Sequence, residues 1–292
     1  MKTKHQAAVL ILLLIAPRLL YAQKLSVANT EFKSLKAAYA HKEEAAWLDL
    51  SNQGLTALPD SVFDLPKLQY LDLSKNHIEA IPAAISRLKN LKYLVLSYNE
   101  VKELPQEFKE LKLLQSLYLD HNKMLAVEKA MTVLAALPNL KMLSLAGDNI
   151  SVVPASITKI KRLETIDFSD NTISDLPENI PELKQLRVLY INNDAYFNLE
   201  QNIRLISKIK KLNELHVEND GLTSVPPSIG QLKSVEYLFL VGNKINSLPP
   251  ELNQMKHLRY LDLTDNPLPP LLNDDYHRQL DPKVVIRLRK KE

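Results

Sequence analysis

A leucine pattern that returns every 23 residues constrains this chain more than any other feature. Its full form is L-x-x-L-x-L-x-x-N-x-L-x-x-L-P-x-x-I, and it reads LQYLDLSKNHIEAIPAAI from Leu68. Successive units are separated by 23, 23, 23, 26, 23, 23, 26, 23 and 23 residues, counted at the second leucine of each unit. These ten positions are Leu48, Leu71, Leu94, Leu117, Leu143, Ile166, Leu189, Leu215, Leu238 and Leu261. Ten units in phase predict a stacked repeat array.

The short L-x-L alternation inside each unit predicts a strand with two different faces. It places Leu71 and Leu73 on one face and Tyr70, Asp72 and Ser74 on the other. One unit cannot bury its leucines alone, so neighbouring units must stack and share a continuous core.

These residues resemble the leucine-rich repeat family. The 23-residue LPxxI version is similar to exported bacterial members and to Ras-pathway and Scribble-like scaffolds. The resemblance implies an α/β fold, a leucine-rich repeat solenoid with the shape of a curved horseshoe. Short parallel strands would line its concave face, and 3₁₀ or short helices its convex face. The array of about ten units is predicted to span residues 47–272.

The two ends of the chain are predicted to serve export and capping. Residues 1–22 combine a basic start, an apolar stretch from Ala7 to Ala16 and a small residue at Ala22, which is typical of a signal peptide. An uncleaved membrane anchor is the alternative. Residues 23–46 are predicted to hold a capping helix, and residues 273–292 a C-terminal cap and basic tail, with a last strand or turn at Val284–Leu288. The protein is therefore expected in the periplasm, at the cell surface or secreted.

The composition argues against several classes of function. The chain has no cysteine, which excludes disulfides, thiolate metal sites and cysteine nucleophiles. It has 5 glycines, and neither G-x-G-x-x-G nor G-x-x-x-x-G-K-[ST] occurs in it. Loss of Lys2, Lys4 and Arg18 with the signal segment lowers the basic residues from 37 to 34, equal to the 34 acidic ones. A neutral mature chain gives no reason to expect nucleic acid as a partner, and no other segment is long enough to span a membrane.

Asparagine and proline recur at fixed places in the units. The ninth position is asparagine in six units, and its amide can join the loops of neighbouring units. Asp148, Asp194 and Asp220 replace it, and an ionised aspartate cannot donate, so weaker contacts are expected there. Seven prolines stand at the proline position of the repeat, after a leucine, isoleucine or valine, and fit the turn into the outer arc: Pro59, Pro82, Pro105, Pro154, Pro177, Pro226 and Pro249.

The two 26-residue units lack this proline and carry apolar residues at helical spacing. Their outer arcs begin at Val127 and Leu199, and both are predicted to be α-helices that pack inward. A docking site on this convex side is the alternative.

The third, fifth and seventh positions of the units are predicted to be exposed on the concave face. Eight of the twenty third and fifth positions are aromatic, although the whole chain has only 18 aromatic residues. Aromatic side chains beside acids are typical of a recognition surface. Stacking along the sheet is the alternative explanation. The predicted binding residues are Trp47, Tyr70, Tyr93, Tyr118, Tyr190, Glu214, His216, Tyr237, Phe239 and Tyr260.

Glu214, His216 and Glu218 alternate along one strand, and such a set could hold a metal ion or act as acid and base. Neighbours two apart are about 6.5 Å from each other, which is wide for two ligands of one ion, so a polar binding surface is preferred. No catalytic motif is found, and no cofactor is expected. The sequence predicts a non-enzymatic module that binds a protein or peptide along its concave face. A glycan-binding module of the cell envelope is the alternative.

Overall fold

The computed structural model describes residues 31–269 and 281–288. The predicted signal peptide 1–22, the start of the cap region, the end of the array and the basic residues after Leu288 lie outside the described residues.

Short strands form one parallel sheet, and their order in space follows their order in the chain. Each repeat strand pairs with the next at the same position of the unit, so that Leu71 pairs with Leu94, and Leu94 with Leu117. The predicted solenoid fold and its register are thereby confirmed. The strands are β1 (Glu31–Phe32), β2 (Trp47–Asp49), β3 (Tyr70–Asp72), β4 (Tyr93–Val95), β5 (Ser116–Tyr118), β6 (Met142–Ser144), β7 (Thr165–Asp167), β8 (Val188–Tyr190), β9 (Glu214–His216), β10 (Tyr237–Phe239), β11 (Tyr260–Asp262) and β12 (Val285–Arg287).

The outer arcs return the chain from one strand to the next and close the core from the other side. Those of the 23-residue units hold 3₁₀ segments, whose apolar residues, such as Ile85 and Phe108, are fully buried. The 3₁₀ segments are Asp60–Asp64, Ala83–Arg87, Gln106–Glu110, Ala155–Lys159, Ile180–Glu182, Pro227–Gln231 and Pro250–Gln254. One hydrophobic core runs through all units, because each arc packs its apolar residues against the leucines of the strands.

Three α-helices are present in the described part of the chain: α1 (Leu35–Ala40), α2 (Val127–Leu134) and α3 (Leu199–Ile206). The last two lie in the 26-residue units and bury one face each, with Met131 in α2 and Ile203 in α3 fully buried. The prediction of helices at these two arcs is confirmed.

Six of the seven prolines at the repeat's proline position immediately precede a 3₁₀ segment, with φ between −78° and −63°. The fixed ring torsion therefore serves the turn into the arc, as expected. Pro177 differs, because its segment begins only at Ile180, whose amide donates to the Pro177 carbonyl at 2.8 Å.

The chain bends just beyond each strand through a residue in the left-handed region. This position has positive φ in every unit, yet only two units place glycine there, Gly147 at φ 69° and Gly242 at φ 69°. A Cβ on Gly147 would lie 1.9 Å from the ring of His121, and one on Gly242 would lie 1.9 Å from Asn219 Oδ1. Glycine is therefore needed where the side chain of the preceding unit folds over the turn.

The ninth-position asparagines connect neighbouring units, as predicted. Asn76 Oδ1 accepts from the amides of Gln53 and Leu55 at 2.9 and 3.0 Å, while its Nδ2 donates to the carbonyls of Leu50 and Leu73 at 3.0 and 2.8 Å. One side chain thus satisfies four backbone groups in a buried loop.

The aspartates at this position behave differently from the expectation of an ionised side chain. Burial raises the pKa of both Asp148 and Asp220 to about 8, so each is protonated at neutral pH. In each case Oδ1 accepts a single amide at 2.6 Å, and Oδ2 has no partner among the described residues. The expected weaker contacts are therefore present at Asp148 and Asp220, but the cause differs from the one assumed: a carboxylate enclosed by apolar loops loses its hydration, and the neutral acid is favoured.

Each of these two aspartates directly follows a 26-residue unit. There the loop of the preceding unit leads into an α-helix. Its amides form bonds within the loop instead: the Leu125 amide donates to the Asn122 carbonyl, and the Phe197 amide donates to the Asp194 carbonyl. Asp148 and Asp220 therefore receive one amide instead of the two that Asn76 receives.

Both ends of the array carry an additional strand. The N-terminal region contributes α1, with Ala38 fully buried, and also β1, which pairs with β2 and was not predicted from the sequence. At the other end β12 pairs with β11, so that Ile286 lies beside Leu261, which confirms the expected last strand.

Candidate functional site

The candidate site is the face of the sheet that points away from the core. It is formed by the first and third residues of strands β2–β11 and by the residue two places beyond each strand. We call this surface the strand face; it corresponds to the predicted concave face. All ten predicted binding residues lie on it.

The prediction that these residues are exposed is wrong for nine of the ten. Tyr237 is intermediate, and the others keep 9% or less of their surface accessible. The reason is geometric, because neighbouring strands are about 4.8 Å apart and wide rings on successive strands cover each other. The buried residues are Trp47, Tyr70, Tyr93, Tyr118, Tyr190, Glu214, His216, Phe239 and Tyr260.

Three rings contact one another in sequence at the N-terminal end of the strand face. The centroids of Trp47 and Tyr70 are 4.6 Å apart, and those of Tyr70 and Tyr93 are 6.2 Å apart, all tilted. Together with Tyr118 and Met142 they belong to a second apolar cluster, separate from the main core. This end is a packed aromatic surface, and its side chains are held in fixed orientations.

Four rings form a longer stack at the C-terminal end. The centroid distances are 4.2 Å from Tyr190 to His216, 4.1 Å from His216 to Phe239, and 5.5 Å from Phe239 to Tyr260. The His216 and Phe239 rings are almost parallel, with 3° between their planes. Phe239 therefore packs on both His216 and Tyr260.

The imidazole of His216 is held between two carboxylates. Its Nε2 lies 2.8 Å from Glu214 Oε1, and its Nδ1 lies 2.7 Å from Glu218 Oε1. Burial alone would lower the pKa of His216, but the hydrogen bonds to Glu214 and Glu218 outweigh it and raise the pKa above its ordinary value. The side chains converge although their Cα atoms are far apart, because glutamate is long enough to reach the ring.

This arrangement does not suit His216 to the metal binding or acid–base chemistry considered from the sequence. Both ring nitrogens are occupied by carboxylate partners, so neither lone pair is directed at a metal ion or a substrate. Within residues 31–269 and 281–288, no group of three or more ligating side chains could hold a metal ion. The two carboxylates favour the imidazolium form of His216, which would place a positively charged ring between Tyr190 and Phe239 in the aromatic stack.

At the last repeat strand a tyrosine, an aspartate and an arginine come together. The Tyr260 hydroxyl donates to Asp262 Oδ2 at 3.0 Å, and Arg287 Nη1 of β12 lies 3.6 Å from the same oxygen. Burial and the charge of Asp262 raise the pKa of Tyr260 to about 12. The guanidinium thus completes a charged group that Tyr260 and Asp262 begin.

Asp120 is a strand-face residue that sequence reasoning missed. Its carboxylate accepts from the hydroxyls of Ser97 and Ser144 and so connects β4, β5 and β6. It occupies the seventh position of its unit, which the repeat phase places on this face. Among the residues at the seventh position, only Glu218 was considered as a candidate.

The opposite side of the molecule carries a recess of about 570 Å³ between the arcs of α2 and α3, lined in part by Val152, Asp175 and Arg204. None of the predicted binding residues contributes to it. Across the described ranges there is no helix with both the length and the apolar character that a membrane crossing requires.

Comparisons with known proteins agree with this geometry. A family model described as leucine rich repeat matches residues 44–91, 82–124 and 210–268. An internalin (inlF) from Listeria monocytogenes is 17% identical over 90% of this chain and 80% of that chain, with a TM-score of 0.59. An internalin C2 (inlC2) from the same species is 22% identical over 72% of this chain and 84% of that chain, with a TM-score of 0.55. No curated protein matches the chain. At these identities the likeness concerns the fold.

Proposed function

The chain is a leucine-rich repeat protein, and we propose that it binds a protein or peptide partner along its strand face and catalyses no reaction of its own. Leucine-rich repeats commonly mediate protein–protein interactions, and the side chains of the strand face are of the type that dominates such interfaces.

The two preformed aromatic runs carry this proposal. Trp47, Tyr70 and Tyr93 contact one another at one end, and the stack from Tyr190 to Tyr260 occupies the other. Rings held in place before binding lose little conformational entropy when a partner arrives, which favours affinity. The ten repeat strands extend over nine steps of about 4.8 Å, or roughly 43 Å, so an extended chain or a folded domain could contact both runs.

The glycan alternative receives less support from the ring geometry. Sugar rings stack on free aromatic faces, but both faces of His216 are covered by Tyr190 and Phe239.

We also propose that the protein is exported, because residues 1–22 have the order of charged, apolar and small residues that a signal peptide requires. The mature chain would then meet its partner in the periplasm, at the cell surface or outside the cell.

A partner is first captured with the mature chain and purified. The experiment then compares the affinity of this partner for two double variants of the mature chain. Replacing Tyr237 and Phe239 by alanine should weaken the partner about thirtyfold or more, equivalent to about 2 kcal/mol. Replacing Lys208 and Lys210, which are exposed on the arc after α3, should change the affinity by less than about threefold. Circular dichroism melts of both variants check that the fold is kept.

Greater damage from the Lys208 and Lys210 pair would place the partner on the arc side and contradict the proposal. Binding of the mature chain to defined saccharides on a glycan array would favour the glycan alternative. So would unchanged binding of the isolated partner after the partner is treated with protease.

A further inference from the structure

The side of the array on which the strands begin is strongly basic. Nine turns lie there, each of six residues that end directly before one of the strands β3–β11. They are residues 64–69, 87–92, 110–115, 136–141, 159–164, 182–187, 208–213, 231–236 and 254–259. These turns hold 17 lysine and arginine residues but only 5 acidic ones. Half of the 34 basic residues after residue 22 therefore lie on this side, although that part of the chain has no net formal charge.

The nine turns form one continuous row, because each is hydrogen-bonded to the next at the same position. The Lys92 amide donates to the Gln69 carbonyl at 2.8 Å, and the same contact recurs as far as the Arg259 amide, which donates to the Glu236 carbonyl at 2.8 Å. Neighbouring turns are therefore about 4.8 Å apart where they join the strands, and the eight steps extend over about 38 Å. We call this row the basic flank.

Every acidic residue of the basic flank is already paired with a basic residue of a neighbouring turn. The pairs are Asp64 with Arg87, Glu110 with Lys89, Glu164 with Lys141, Glu182 with Lys161, and Glu236 with Arg259. Twelve basic residues of the flank remain, and none of them forms an ion pair within residues 31–269 and 281–288. All except Lys92 are exposed. They are Lys67, Lys92, Lys112, Lys159, Arg162, Lys184, Arg187, Lys208, Lys210, Lys211, Lys233 and Lys256.

These cations are most concentrated on three successive turns, 159–164, 182–187 and 208–213. Seven of the twelve lie there, within two strand steps of about 9.6 Å. Like charges at such short separation repel one another and attract anions from solution. An anionic ligand bound along the flank would therefore lower the free energy of the molecule.

The positive charge is confined to a narrow strip. On one side of the strip lies the strand face, whose thirty positions include no lysine and no arginine. On the other side the arcs carry exposed acids, such as Glu107, Glu128 and Glu200. A thin, linear polyanion can follow such a strip, whereas a broad anionic membrane surface would also approach the neighbouring acids.

The side chains of the flank suit anionic groups and hydroxyls rather than nucleotide bases. The nine turns contain no phenylalanine, tyrosine or tryptophan, so they offer no aromatic ring on which a base could stack. Partly exposed amide side chains, such as Gln115 and Asn213, lie between the cations and can form hydrogen bonds with hydroxyl groups. A polysaccharide with anionic groups supplies both kinds of contact along one chain.

We propose that the basic flank binds a linear anionic polysaccharide. Lys159, Lys184, Lys210 and their neighbours would pair with successive anionic groups of the polymer, and the strand face would stay free for its protein partner. This proposal goes beyond the proposed function, because it concerns a different surface and a different class of ligand. It also differs from the glycan alternative, which placed sugar rings on the aromatic residues of the strand face.

The test measures binding of labelled dextran sulfate to the mature chain by fluorescence anisotropy, with uncharged dextran of the same length as the control polymer. Dextran sulfate should bind, and its affinity should fall about tenfold or more between about 50 and 300 mM salt, because binding releases counterions. Uncharged dextran should not bind. Single-stranded DNA and vesicles rich in phosphatidylglycerol, compared at equal concentration of anionic groups, should bind at least about threefold more weakly than dextran sulfate.

A triple variant of the flank then locates the polymer. Replacing Lys159, Lys184 and Lys210 by glutamine removes three exposed cations from the three most basic turns. The affinity for dextran sulfate should fall about tenfold or more, because fewer counterions are released when the polymer binds. Urea melts check that the fold is kept.

A second triple variant is the matched control. Replacing Lys75, Lys123 and Lys244 by glutamine changes the total charge equally, but these exposed lysines lie on the loops that follow the strands. The affinity for dextran sulfate should then change less than about twofold. Equal losses in the two variants would overturn the proposal, because binding would follow the total charge of the chain and not the flank.

The other polymers supply further ways to refute the proposal. No binding of dextran sulfate, or equal binding of charged and uncharged dextran, would overturn it. Tighter binding of DNA or of the vesicles than of dextran sulfate would overturn the polysaccharide and assign the basic flank to a nucleic acid or to a membrane surface.

Discussion

Replacing Asp148 by asparagine should stabilise the protein at neutral pH. Asp148 Oδ1 accepts from the Asn122 amide at 2.6 Å, but the buried Oδ2 has no partner among the described residues. Burial raises the pKa of Asp148 to about 8; the Asn122 hydrogen bond opposes this shift, and the nearby Asp120 charge adds to it. Asparagine would keep the acceptor and supply the amide donor that Asn122 and Asn171 use in the same position.

The magnitude follows from the two protonation states. The unfolded chain releases this proton near pH 3.8, whereas the folded chain keeps it up to about pH 8. At pH 7 this difference of about three pKa units costs at most about 4 kcal/mol, at about 1.4 kcal/mol per unit. Local relaxation and water reduce this limit, so we expect Asp148→Asn to gain about 2 kcal/mol at pH 7.

The sign of the pH dependence is fixed by the same shift. Between about pH 4 and pH 8 the folded state binds more protons at Asp148 than the unfolded state, so the stability of the natural chain falls as the pH rises. The gain from Asp148→Asn should therefore be small at pH 5 and largest near pH 8. Urea unfolding followed by circular dichroism at pH 5, 7 and 8 measures it.

Asp194→Asn is the matched control for this experiment. Both oxygens of Asp194 already accept an amide, from Ile173 at 2.6 Å and Tyr196 at 3.2 Å, so asparagine would lose one acceptor there. It should be neutral or destabilising. A gain for Asp148→Asn that is the same at pH 5 and pH 8, or no gain at either, would refute the protonated aspartate.

Three further predictions concern the stack, the core and the N-terminus. His216→Gln should cost about 1.5–3 kcal/mol below pH 6.5, and the difference from the natural chain should shrink as the pH rises through the raised pKa of His216; a difference that grows with pH in urea melts would contradict the imidazolium. Leu117→Ala should cost about 2–5 kcal/mol because it leaves a cavity in the main core, and Tyr118→Ala should cost less because Tyr118 belongs to the strand-face cluster; the reverse order would be inconsistent with the repeat phase. Mass spectrometry of the native protein should find Gln23 or a close neighbour as the first residue, and an intact Met1 in the soluble fraction would rule out cleavage.

The regular part of the fold was predictable because it depends on a repeated pattern. The leucines of each unit determine the register, and all ten repeat strands pair as their spacing requires. The helices at Val127 and Leu199 were also predictable, since longer arcs without the Leu-Pro turn have room for helical spacing.

The burial of the strand face was not predictable from alternation alone. Alternation tells which face a side chain occupies, but not how far neighbouring rings such as Trp47 and Tyr70 cover each other. The raised pKa of Asp148 was not predictable for a related reason. It depends on how deeply the loops around the 26-residue unit bury the carboxyl group, and not on the residue type. The carboxylate clamp on His216 likewise depends on side-chain reach across positions that looked too far apart.

Photocrosslinking tests the role of the strand face most directly. A benzoyl-phenylalanine in place of Thr165, which is half-buried in the middle of the strand face, is compared with the same group in place of the exposed Lys208 on the arc side. The proposed function predicts that irradiation with the purified partner gives a covalent adduct from position 165 and little or none from position 208. An adduct that forms only from position 208 would contradict binding along the strand face.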